Sequence, residues 1–114
     1  MANPSSSKAR IKPVVPRLAE LIDDVVYGDI WARPGLTKRE RSLITVAALI
    51  GMKQTEPMRS HMEKALDNAV TPDEISELIT HVAFYAGFPA SLSAALVARP
   101  LFELLGLIPS EEKA

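Results

Sequence analysis

A chain of 114 residues, 47% hydrophobic and 24% charged, fits one ordinary globular domain. Its net charge of -1 gives no overall pull toward nucleic acid or an anionic membrane. The absence of cysteine removes disulfides, thiolate metal sites, redox pairs and a cysteine nucleophile together.

The longest apolar run, 46–52, is far too short to cross a bilayer, and the opening MANPSSSKAR carries no apolar signal core, so a cytoplasmic protein is expected. Residues 1–12 read as a flexible tail ahead of a single helical domain over 13–114. Lys8, Arg10 and Lys12 can reach phosphates, but three charges carry little affinity and a solvated tail is the plainer reading. Over 17–27, Leu18, Leu21, Ile22, Val25 and Val26 recur at helical spacing, and Gly28 is placed to end that helix. The stretch DIWARPG, 29–35, is a loop with a turn at Pro34 and Gly35.

Thr37 and Glu40 form a capping box for a helix over about 38–50, whose apolar second half predicts a central buried helix. Thr55 is expected to cap the next helix, with Pro57 in its first turn and an end near Asn68. Thr71, Pro72 and Glu74 supply cap, proline and capping box for a fourth helix, lined on one face by Ile75, Leu78, Ile79 and Val82. Gly87 and Pro89 separate it from a fifth, about 90–98. Pro100 is expected to kink or break the chain there, leaving 101–105 as a last short piece. No segment alternates like a strand, so the fold class is all-α. The fifth helix, with Leu92, Ala94, Ala95, Leu96 and Val97, is apolar over most of its circumference and reads either as a core helix or as a subunit interface.

Few residues are equipped for chemistry. His81 has Glu77 four positions before it and Tyr85 four after, all on one helix face, a line that can hold an imidazole in one tautomer. Alone, such a line is more often a surface or interface feature. His61 shares its helix face with Met58 and Ala65, where a lone histidine is usually structural. Two histidines without HExxH or an acidic cluster make no metal site. In TKRER, 37–41, Lys38 reads as solvated, while Arg41 lies one turn before the apolar half and can grip a carboxylate. Arg33 and Trp31 can help cover such a cleft; Trp31 equally suits a hydrophobic plug.

The segments YGDIWARPGLTKRERSLITVAALIG and TEPMRSHMEKALDNAVTPDEISELITHVAFYAGFPASLSAA resemble the gamma-carboxymuconolactone decarboxylase family, over about 27–97. The resemblance implies an alkylhydroperoxidase D-like fold of about five to six helices in a homo-oligomer, a hexamer before a trimer. The peroxidase-like branch of that superfamily uses a glutamate, a CxxC pair and a histidine. Setting its histidine on His61 places the others on Ser42, Gln54 and Pro57, so three of the four positions are replaced.

The implied substrate is a small anionic lactone; the rival readings are the same fold acting on another small lactone or keto acid, and a non-catalytic oligomeric scaffold. Loss of carbon dioxide sends electrons through the ring alkene into the lactone carbonyl, and protonation of the dienolate on carbon gives an enol-lactone. The lactone is its own electron sink, so no cofactor or metal is implied. The protein must anchor carboxylates, stabilise an oxyanion and deliver one proton. For these roles Arg41 and Arg33 suit the anchoring, His61 and His81 the oxyanion and proton roles, Glu56 or Glu40 the orientation of an imidazole, and Trp31 and Tyr85 contact with the substrate.

Without a thiolate, the protein is expected to reduce no hydroperoxide at the expense of a dithiol. Dithiol-dependent peroxide turnover above the buffer rate, followed by peroxide consumption, would contradict this.

Overall fold

The computed structural model describes residues 7–110. The chain divides into two compact units, Met1–Thr37 and Lys38–Ala114, a division that falls inside the stretch expected to form one domain.

In the first unit, α1 (Ser7–Ile11) occupies part of the expected tail; the residues before Ser7 lie outside those described. Lys8 pairs with Asp23 at 3.0 Å, an exposed contact of little energetic weight. The helix expected over 17–27 changes character midway. Pro16, suited to a first turn because its missing amide is not needed there, opens α2 (Pro16–Leu21), and Ile22–Tyr27 then winds as a π-helix. Gly28 does not end it in the left-handed form; its φ is -76°. Glycine is required there for space, since a Cβ would lie 2.7 Å from the carbonyl oxygens of both Asp23 and Asp24. The expected loop holds a 3₁₀ turn, Ile30–Ala32. Ala19 is the only buried residue among those described in this unit.

The second unit is a four-helix arrangement of α3 (Lys38–Gly51), α4 (Thr55–Asp67), α5 (Pro72–Ala86) and α6 (Phe88–Leu104). Both α3 and α6 pack against α4 and α5, while α4 and α5 lie across the diagonal without comparable packing. The core joins Val46 and Ile50 to Met58, Met62 and Ala65, to Val70 and Ile75, and to Ala90, Ala94, Ala98 and Leu101. The helix α3 is therefore not buried all round: one stripe, Ser42, Val46 and Ile50, faces inward, while Ile44 is exposed.

Polar contacts tie the helices together. Asn68 donates to the buried Ser42 hydroxyl at 3.0 Å, linking α4 to α3. Ser91 donates to the Ile79 carbonyl at 2.8 Å, linking α6 to α5. Arg39 pairs with Glu74 and so joins α3 to the start of α5. There the Thr71–Glu74 capping box forms as expected. The Thr55 cap does not: Thr55 is already helical, and Gln54 is the N-cap with no side-chain bond to the helix.

Pro100 does not break the last helix, which runs unbroken through it. The lost amide would have served the carbonyl of Leu96, on the solvent side, where water can replace it. On either side of the proline, Ala98 and Leu101 are packed in the core and hold the helical path.

Three helices end in the same doubled turn. Gln54 and Lys53 donate to Leu49 and Ile50, Val70 and Ala69 to Ala65 and Leu66, and Leu107 and Gly106 to Phe102 and Glu103. Each is a Schellman motif, which needs its penultimate donor residue at positive φ. Gly106 meets that at no steric cost, but Lys53 and Ala69 sit at φ 58° and 71° with a Cβ in place. Ala69→Gly is expected to stabilise the protein by roughly 0.5–1 kcal/mol, the left-handed penalty less the added chain entropy of glycine. Urea unfolding measures it; a destabilised Ala69→Gly would contradict this reading of the turn.

Candidate active site

The apolar sequence of α3 has a consequence at its flank. Ala47, Ala48 and Gly51 present almost no side chain toward α5, whose His81, Val82, Tyr85 and Ala86 face them across an open groove of about 490 Å³. The volume is within the range of small-molecule sites. A Cβ at Gly51 would meet nothing within 4 Å, so the space there is empty rather than filled by a neighbour. The α3 residues were not singled out from sequence; the run of small side chains in VAALIG is the signal that marks them.

His81 and Tyr85 stack at the groove's rim with ring centroids 5.0 Å apart. Both are exposed. Glu77, one turn earlier, is exposed and makes no hydrogen bond to His81 among the described contacts, so the Glu–His–Tyr line reduces to its aromatic half. No Lys, Arg, Asp or Glu lines the groove.

His61 lies elsewhere. On α4 it shares a flank with Asn68, two turns on, and Asn68 bonds Ser42 of α3. The groove opens on the other flank of α3, at Ala47 and Gly51. His61 does not line the groove. The short connection between α4 and α5 suggested antiparallel neighbours with histidines at matching heights; instead α3 and α6 take the places beside each.

The remaining residues have definite positions. Arg41, half-buried on α3, has its Nε out of reach of solvent, and Thr45 donates to its carbonyl at 2.7 Å. Glu40 and Glu56 sit in the first turns of α3 and α4, where a carboxylate offsets the positive helix end. In the first unit, Trp31 stacks on Tyr27 at 5.8 Å, and Arg33 lies 3.8 Å from Asp29. Among the described residues no three His, Cys, Asp or Glu side chains gather as metal ligands do.

His61 has a displaced proton affinity. Burial disfavours its imidazolium, and Lys64 one turn on adds a positive charge, so its pKa is lowered. At neutral pH it is a neutral ring, able to donate to an oxyanion without carrying charge. As pH falls the unfolded chain takes this proton first, so the stability linked to neutral His61 is complete above about pH 6.5 and declines below it. Imidazole NMR is expected to place the His61 midpoint below that ordinary value, and His61→Gln should flatten the acid limb of stability. A midpoint at or above about 6.5 would contradict the burial.

Against known proteins, the chain is 40% identical over 90 residues to the 4-carboxymuconolactone decarboxylase of Acinetobacter baylyi, covering 79% of this chain and 67% of that one. It is also 40% identical over 78 residues to the nitrosuccinic acid decarboxylase of Metarhizium robertsii, covering 68% of this chain and 54% of the relative. The chain thus spans about two thirds of the first relative and about half of the second. Residues 16–100, which include α2 to α5 and most of α6, match a single family, and the chain belongs to the carboxymuconolactone decarboxylase family.

Proposed function

We propose that the protein removes carbon dioxide from a small lactone of the gamma-carboxymuconolactone type, giving an enol-lactone. The observation that carries this is the 40% identity to a 4-carboxymuconolactone decarboxylase across 79% of the chain. The residues supply what the reaction asks for. His81 and Tyr85 present polar atoms beside an apolar floor, His61 offers a neutral imidazole, and Arg41 is a half-buried cation suited to a carboxylate. Glu40 and Glu56 stabilise the starts of the helices that carry Arg41 and His61. The active species is a homo-oligomer, a hexamer before a trimer.

A second reading is favoured by the relative that acts on nitrosuccinic acid. A nitro group accepts the electron pair of a departing carboxylate as a lactone carbonyl does. The common requirement is a small carboxylate with an electron sink, and another lactone or keto acid meets it too.

The test is ultraviolet-monitored decarboxylation of gamma-carboxymuconolactone beside nitrosuccinate. His61→Ala and His81→Ala should each lower kcat/KM by roughly 10²–10⁴-fold, the scale of a lost acid–base group. The double variant should fall short of the product of the two, since both groups serve one transition state. Arg41→Ala should chiefly raise KM. Near-wild-type kcat/KM in both folded histidine variants would remove them from the site; turnover of nitrosuccinate alone would favour the second reading.

A further inference from the structure

A second hollow opens between α5 and α6, and it shares no lining residue with the groove at His81. Its volume of about 290 Å³ lies at the lower edge of small-molecule sites, room for one ring and a substituent. The turn after α6 builds one side of it. Leu107 and Gly106 donate back to Phe102 and Glu103, and Gly106, at φ 71°, reverses the chain there. Ile108 is thereby brought, half-buried, to a hollow that Phe102 of α6 and Ile75 and Ile79 of α5 also line.

The polarity of the hollow runs one way. Its floor is Ile75 and Ala98, both buried, and its sides are the half-buried Ile79, Phe102 and Ile108. The rim is exposed and carries the polar side chains of the lining: Ser76 and Thr80, one turn apart on α5, and Arg99 on α6. Thr80 donates to the Ser76 carbonyl at 2.9 Å, which spends its proton, while the Ser76 hydroxyl is able to donate. Arg99 is the one charged residue of the lining. Glu103 meets it at Nε, 2.9 Å away. A guanidinium has five donors in a planar fork, so it can take a second carboxylate end-on at its terminal nitrogens.

We propose that this hollow binds a small ring-bearing monocarboxylate, with the ring on Ile75 and Ala98 and the carboxylate at the rim on Arg99 and Ser76. An apolar body with a single anionic head matches an apolar floor under a cationic rim. Covering the floor removes apolar surface from water, and the guanidinium contact fixes which end of the ligand points out. A neutral ring leaves Arg99 without an anion to hold, and a carboxylate without a ring leaves the floor to water. The inference does not depend on the decarboxylase reading, since neither His81 nor Tyr85 lines this hollow.

The experiment titrates benzoate into the full chain and follows the isoleucine methyl groups by NMR, with benzamide as the neutral isostere and acetate as the head without the ring. Benzoate is expected to bind saturably and to move the Ile75, Ile79 and Ile108 signals while Ile44, on α3, stays in place. Arg99→Gln removes one exposed ion pair of little weight, so the variant should fold, yet its benzoate affinity should fall at least about tenfold, the scale of a lost charge-assisted contact. Benzamide and acetate should each bind the wild type at least about tenfold more weakly than benzoate. Ala95→Leu, at an exposed lining position, fills the mouth without touching Arg99 and should abolish the shifts; it serves as the second variant should Arg99→Gln fail to fold by circular dichroism. Absence of saturable benzoate binding, shifts that leave Ile75, Ile79 and Ile108 in place, equal affinity for benzamide, or undiminished binding in the folded variants would each overturn the inference.

Discussion

Alanines at 90, 94 and 98 form the inner face of α6, and the arrangement of the second unit depends on them. A helix face without bulk lets α6 approach α4 and α5 closely, and the space is filled by longer side chains from the others: Met58 and Met62 of α4, Ile75 of α5 and Ile50 of α3. A larger residue at any of the three alanines would push against these fully packed side chains and force a shift of the helix. The buried Ser91 hydroxyl, donating to the Ile79 carbonyl, holds the register of α6 on α5 without adding bulk.

An inner face of alanines leaves the large apolar residues of the same helix on the outside. Phe88, Leu92 and Leu96 follow one another along the solvent side, so of the two sequence readings of this helix the core describes its alanine face, and the interface is a reading of the opposite, exposed one. The same economy of bulk recurs on α3. Ser42, Val46 and Ile50 fill the core, while Ala47, Ala48 and Gly51 leave the groove in which His81 and Tyr85 stand. Small residues thus set both the packing inside and the space available for chemistry at the surface.

Much of the fold was legible because its signals are local. The Thr71–Pro72–Glu74 start of α5, the break at Gly87 and the absence of strands follow from capping, backbone freedom and periodicity. The π-helix over Ile22–Tyr27 was not legible, because an i→i+5 winding leaves almost the same apolar spacing as an α-helix. Pro100 misled because a local rule was overridden by the packing of Ala98 and Leu101 on either side of it. The turns at Lys53 and Ala69 were hidden because neither carries the glycine that usually marks such a position. At the candidate site, the shared face of His81 and Tyr85 was visible from their spacing, whereas the absence of His61 from the groove depends on which helices neighbour each other, which no spacing within a helix records.

The proposed decarboxylase, active as a homo-oligomer, should lose activity as its subunits part. The most direct measurement is the rate of gamma-carboxymuconolactone decarboxylation per chain across a dilution series, with sedimentation followed over the same concentrations. Specific activity is expected to fall in step with dissociation of the oligomer and to return on reconcentration. A specific activity that stays constant while the protein dissociates to single chains of 12.4 kDa would contradict it.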